Sequence, residues 1–192
     1  MNNFNWNTSF SVDFDLQTGF SKTAKTTKRY LSQMKNMFHD TDAVAEILRT
    51  EDPVIYEFYE LGFPEETGHI AFGTSIVYPG TVGSEYYMTK GHFHTILETA
   101  EVYYILDGDG YMVMENPEGD TMEVPLCKGE AVYVPKRYAH RSVNIGKKPL
   151  VMFFSFGAEA GHDYGSIETK GYRKLLVENH GKLSVIDNPH WR

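Results

Sequence analysis

GHFHTILETAEVYYILDGDG, residues Gly91–Gly110, is the stretch on which the reading of this chain turns. His92 and His94 stand at i and i+2, so on an extended strand both imidazoles leave the same face, with Cα atoms roughly 6.5 Å apart. Two imidazoles so spaced can ligate one metal ion, although an HxH pair by itself is a weak signal. Glu98 and Glu101 follow, and either offers an oxygen ligand. A third imidazole, His140 in VPKRYAHRSVN, comes just after a separate run ending at Pro135, where a returning strand could bring it to the same point. Three neutral imidazoles and one carboxylate suit a divalent first-row metal and leave coordination positions open for substrate or water.

Around this stretch the chain reads as β structure. Beyond Pro53 come short runs rich in Val, Ile, Tyr and Phe: VIYEFYEL, IAFGTSIVY, EYYMTKGHFH, EVYYIL, GYMVMEN, TMEVPL, AVYVP, HRSVNI and PLVMFFSF. Gly, Pro, Asp and Asn separate them at roughly 8–12 residues, the spacing of a sandwich or barrel. DGDG, NPEGD and NIGKKP have the chemistry of tight hairpins. YRKLLVENHGKLSVID predicts a last hairpin turning at Asn179–Gly181.

Before Pro53 the pattern is helical. Tyr30, Leu31, Met34, Met37 and Phe38 recur as one stripe and predict a helix over Lys25–Phe38. DTDAVAEIL predicts a shorter helix behind Asp40 or Thr41 as cap. Residues 1–52 are thus expected to be an extension whose helices pack on the β core or on a second subunit. Residues 53–192 form the barrel and its C-terminal hairpin.

Composition narrows the functions. Lys and Arg total 18 against 26 Asp and Glu, a net charge of -8, with no basic run to track a phosphate backbone, so nucleic acid is not an expected partner. Cys127 is the only cysteine, which excludes an intrachain disulfide framework and a Cys-rich zinc module. No run approaches ~18 apolar residues and the N-terminus lacks a secretory pattern, so the expectation is a cytoplasmic protein with no membrane partner.

The motifs resemble those of the cupin superfamily, G-x5-H-x-H-x3-4-E-x6-G and G-x5-P-x-G-x2-H-x3-N. The second reads Gly129, Pro135, Arg137 where glycine is usual, His140 and Asn144. In the first, Glu98 has the usual gap after His94, but only Glu101 is followed by six residues and then a glycine, Gly108. The resemblance therefore selects Glu101 as ligand and leaves Glu98 in a widened loop. It implies a mainly β fold, a single cupin barrel (a double-stranded β-helix, or jelly roll) with short N-terminal helices.

That widened loop, with EYYMTKGHFH before it and AGHDYG after the barrel, is similar to the cupin-type phosphoglucose isomerases. The likeness runs from about Tyr78 to the C-terminal DNPHW. It implies a homodimer holding one divalent metal ion per subunit, Fe2+ first and Mn2+, Ni2+ or Zn2+ as alternatives, on His92, His94, Glu101 and His140. It also implies interconversion of glucose 6-phosphate and fructose 6-phosphate, through a cis-enediol or by hydride shift, in glycolysis or gluconeogenesis. Glu101 is then a ligand only, or also the group that transfers the proton, and His162 binds substrate or shuttles a proton in ring opening. With no P-loop in the chain, the resemblance assigns phosphate to Thr89, Gly91 and Ser75, with Lys90 offering a charge. It assigns sugar contacts to Tyr103 and Tyr164, and a weaker substrate contact to Tyr56. His39, His69, His180 and His190 have no motif support. An iron(II) dioxygenase on the same ligands and a non-catalytic sugar-binding cupin are the competing readings.

Overall fold

Alternation of inward and outward side chains builds the core. In β6, Glu101–Asp107, the residues Glu101, Tyr103 and Ile105 are buried, whereas Val102 and Tyr104 between them face solvent. The computed structural model describes residues 4–191. Before β6 come β1 (Lys25–Tyr30), β2 (Val54–Glu60), β3 (Ile70–Val77), β4 (Thr81–Val82) and β5 (Glu85–Tyr86). After it come β7 (Asp109–Glu115), β8 (Thr121–Cys127), β9 (Ala131–Val134), β10 (Ala139–Asn144), β11 (Leu150–Gly157), β12 (Lys174–Asn179) and β13 (Lys182–Asp187).

The sheets follow the orders β1-β2-β3-β11-β6-β9, β10-β7-β8 and β13-β12-β5-β4. The first two enclose one apolar core, to which Met152 and Ile105 contribute from one sheet and Met112, Met114 and Val143 from the other. This is the mainly β jelly roll expected from the motifs. Gly108, at φ +89, makes the β6–β7 turn where any Cβ would lie 2.5 Å from the Pro149 carbonyl. The hairpin of β12 and β13 turns as predicted, through His180 and Gly181 at positive φ.

The helix expected over Lys25–Phe38 is not formed. Lys25–Tyr30 is a strand, antiparallel to β2 with Arg29 opposite Tyr56, and only Leu31–Met34 (α1) is helical. The apolar stripe lies wholly within Tyr30–Phe38, while the residues before it include the β-branched pair Thr26 and Thr27. The open edge of β2 satisfies their backbone better than a helical turn would. Leu31, Met34, Met37 and Phe38 still enter the core. The second helix is where it was expected: α2 spans Thr41–Leu48, and the Asp40 carboxylate accepts from the Ala43 amide at 2.9 Å.

EYYMTKGHFH also departs from one continuous strand. Beyond β5 it is extended chain touching its neighbours at isolated bridges, Met88 to Val143, His92 to His140 and Phe93 to Asp163. The interruption is Gly91, whose φ is +73 and whose absent Cβ would fall 2.4 Å from the Tyr172 hydroxyl and 2.9 Å from Arg141 Cβ.

Candidate active site

The i, i+2 spacing survives that interruption. His92 and His140 exchange backbone hydrogen bonds of 3.4 and 3.1 Å, so the HxH segment lies against β10 and three imidazoles converge with Glu101 from β6. The ligand atoms of His92, His94, Glu101 and His140 all lie within 4.8 Å of one another. His94, Glu101 and His140 are buried, and His92 is half-buried. His94 Nε2 and His140 Nε2 stand 3.2 and 2.9 Å from Glu101 Oε2. His92 Nε2 is buried with no hydrogen-bond partner. One buried ring nitrogen without a partner, beside two more drawn up to a single carboxylate, is an arrangement that a bound cation would satisfy, and the donor set fits a metal ion.

The outer contacts agree. Thr99 Oγ1 donates to the Ile96 carbonyl at 2.6 Å and stands 2.8 Å from His94 Nδ1. Its proton is committed, so the hydroxyl accepts Nδ1–H and leaves Nε2 as the lone pair facing the cluster. Thr99 sits in the widened loop between the two candidate glutamates. Glu98 is on the outside of that loop, paired with Lys136 and 3.8 Å from Arg137. Arg137, standing where the motif has glycine, holds φ at +71. Its guanidinium bonds Glu118 at 2.5 Å and its amide donates to Leu97 O at 2.7 Å, so the strained residue ties the loop to the second motif.

Electrostatics sort the proton carriers. Burial alone would raise the Glu101 pKa, but His140 beside it, by charge and by hydrogen bond, holds the carboxyl well below the usual range, ionised. Burial, then His140 and His162, lowers His92, with Glu101 opposing. His162 is exposed, yet desolvation by the groups packed around its ring lowers its pKa against the pull of Glu101. Burial first, then the Glu101 charge, raises the Tyr103 phenol well above its ordinary value, and it stays protonated.

One cavity of ≈ 570 Å³, open to solvent, is lined by Tyr56, Ser75, Thr89, Gly91, His92, Glu101, Tyr103, His140, His162 and Tyr164. Every substrate and catalytic residue singled out from the sequence therefore meets in one place. His94 stands behind them in the cluster. The post-barrel segment is pinned over the cavity: Phe93 and Asp163 exchange backbone bonds of 2.9 and 2.8 Å, and the His162 ring lies 4.3 Å from that of His92. A short helix, Gly165–Lys170 (α3), unforeseen in the sequence, carries Glu168, which pairs with Lys90. Lys90 Nζ is 4.6 Å from the Tyr164 ring centre.

Away from the cluster the same cavity is lined by polar groups of Tyr56, Glu60, Ser75, Thr89 and Lys90 and by the rings of Phe58, Phe154 and Phe156. Thr89 Oγ1 accepts the Ser142 amide at 3.0 Å, which leaves its own proton to donate. Tyr56, its phenol pushed up to about 12 by burial, has the Arg29 charge and the Lys90 amide working the other way. Arg29 lies with its guanidinium carbon 5.9 Å from the Phe58 ring centre. The sequence reading missed Arg29 because it was set in a helix, and missed Thr99 because a loop threonine has no motif. The β-branched run Thr26–Thr27 was the available signal for the first.

The family model for Glucose-6-phosphate isomerase matches residues 28–192. A glucose-6-phosphate isomerase of Pyrococcus furiosus is 45% identical over 183 residues, 95% of this chain and 97% of that protein. One from Thermococcus onnurineus is 46% identical over 181 residues, 94% of this chain and 95% of that one. A putative glucose-6-phosphate isomerase 1 of Rhizobium meliloti is 36% identical over 93% of this chain and 85% of its own.

Proposed function

The chain belongs to the glucose-6-phosphate isomerase family, and on that premise we propose that it is an aldose-ketose isomerase interconverting D-glucose 6-phosphate and D-fructose 6-phosphate. The observation that carries this reading is that one cavity is lined by His92, His140 and the ionised Glu101 together with the hydroxyls of Tyr56, Ser75 and Thr89, the Gly91 backbone and Lys90. His92, His94, Glu101 and His140 would hold one divalent ion per subunit, Fe2+ in the first instance, with Mn2+, Ni2+ or Zn2+ as alternatives. When bound, such an ion supplies Lewis-acid polarisation of the substrate oxygens.

The chain's own residues do the rest. Thr89, Gly91, Ser75 and Tyr56 bind the phosphate, with Lys90 adding charge. Tyr103 donates to a sugar oxygen, and Tyr164 walls the mouth beside it. Glu101, ionised, takes the proton from the carbon next to the carbonyl and returns it to the neighbouring carbon in the cis-enediol route. In a hydride-shift route its part ends at ligation. His162, neutral near pH 7, takes and returns the hydroxyl proton when the sugar ring opens. The segment His162–Tyr164 lies across the mouth of the cavity, held by the Phe93–Asp163 backbone bonds.

Residues 1–52 serve as an extension that adds β1 to the edge of a barrel otherwise built from residues 53–192, and the working unit is a cytoplasmic homodimer with a sugar phosphate as partner. No described helix is long and apolar enough to cross a membrane. An oxygenase would have no use for the Ser75, Thr89 and Lys90 groups that line this cavity. The test is a coupled assay with fructose 6-phosphate after chelation, then with single divalent metals restored. Chelator-sensitive formation of glucose 6-phosphate is expected, and none at all would end the reading.

A further inference from the structure

We propose that Arg141, outside the cavity, is a positioning residue for the substrate phosphate: it holds the Lys90–Gly91 peptide so that the Gly91 amide is aimed and polarised toward the phosphoryl group. The inference rests on the isomerase reading above and adds to it a residue that touches neither metal ligand set nor sugar.

Arg141 follows His140 on β10, so its side chain leaves the opposite face of the strand. There it is 2% exposed, with its guanidinium carbon 4.2 Å from the Tyr172 ring centre. Glu85 and Glu115 are the acids whose charges reach it. Its directed bonds are few. Nη2 donates to the Lys90 carbonyl at 2.9 Å, Nη1 approaches Met88 Sδ at 2.9 Å, and Nε has no partner.

A guanidinium stays charged even when buried, and desolvating it costs more than an apolar side chain of similar volume would. The one oxygen it takes belongs to the peptide joining Lys90 to Gly91. In a trans peptide the carbonyl and the amide N–H point in opposite directions. A cation drawn up to the Lys90 oxygen therefore turns the Gly91 N–H away from Arg141, toward the cavity that Lys90 and Gly91 line. The same bond polarises the peptide and strengthens that N–H as a donor. Among the described residues the Gly91 amide has no hydrogen-bond partner. The left-handed φ of Gly91 and its missing Cβ let the peptide lie directly on Arg141 and Tyr172.

The test uses the metal-loaded full chain with Arg141→Met and Arg141→Lys. Arg141→Met is expected to raise both the Kd for inorganic phosphate and the KM for fructose 6-phosphate by at least about fivefold. Metal content and kcat should hold within about twofold, and Arg141→Lys should restore part of the phosphate affinity. A smaller change in phosphate Kd, or a loss confined to kcat or metal content, overturns the proposal. If neither variant folds, the wild type decides: in 15N-resolved spectra the Gly91 amide proton must move downfield as phosphate is added, and an unmoved signal at saturation refutes the idea. Wild type that binds phosphate but does not isomerise fructose 6-phosphate would sink the isomerase reading while leaving Arg141 to be judged by these phosphate measurements.

Discussion

Thr99→Val removes one hydroxyl and little else, and its effect follows from the two bonds that hydroxyl makes. Losing the bond to the Ile96 carbonyl costs little, because Ile96 is 45% exposed and water can replace the donor. Losing the acceptor for His94 Nδ1–H is different. His94 is 5% exposed, so in the variant either that N–H is left unsatisfied or the ring takes the other tautomer and points a proton at the cluster. Metal binding must reverse whichever occurs, at about 1–3 kcal/mol, or roughly 5-fold to 150-fold in affinity. Competition against a coloured chelator would measure this directly, beside thermal unfolding of the metal-free protein, which should shift little. An unchanged metal affinity in folded Thr99→Val would refute the tautomer assignment.

Other perturbations test neighbouring claims. Glu101→Gln should lower isomerase turnover at least about a hundredfold, whereas Glu98→Gln should leave it within about twofold; equal effects would reverse the choice of carboxylate. Gly91→Ala must adopt the left-handed φ at about 1–2 kcal/mol and crowd Tyr172 and Arg141 for about 1–3 more. A fall in Tm on the order of 10 °C is expected, and an unchanged Tm with unchanged KM would contradict the packing described. Arg29→Ala, which removes the charge acting on Tyr56, should raise KM for the sugar phosphate more than it lowers kcat, read from steady-state kinetics; the opposite split would refute a binding role for that charge.

His39 gives a pH dependence. Its Nδ1 stands 2.9 Å from the buried Glu85 carboxylate, and that bond raises its pKa above 6.5, with partial burial opposing. A histidine pKa raised in the folded state adds stability that is complete below the unfolded value and fades as pH climbs through the folded one. Thermal midpoints of wild type and His39→Gln should differ most in mildly acidic buffer and converge in alkaline buffer. A gap independent of pH would show that the pair does not titrate as described.

Legibility in the sequence tracked how local each determinant is. Gly108 selected Glu101 over Glu98 because a tight turn fixes the distance from strand start to hairpin, and the second motif brought in His140 because its proline and asparagine fix a strand's position in the same way. Arg137 was visible as an oddity, and its positive φ supplies the reason glycine is usual there. Lys25–Phe38 misled because a stripe of buried residues arises from any segment laid on a core, whatever its backbone, and the misplacement hid Arg29. Thr99, His39 and Arg141 were illegible for one shared reason. Each acts through one or two polar contacts that exist only once the chain has folded, and nothing in residue type or spacing records them.

The outward position of Glu98 also fixes the charge balance of the centre. With only Glu101 inside, a divalent ion among neutral imidazoles would leave one net positive charge, two from the ion less one from the carboxylate; a second glutamate would cancel it. The chain as a whole carries -8. An anionic sugar phosphate is therefore repelled by the distant surface and attracted only at close quarters, and added salt screens the first effect more than the second. Capture of such a substrate should quicken as ionic strength rises from a low value, the reverse of ordinary electrostatic steering.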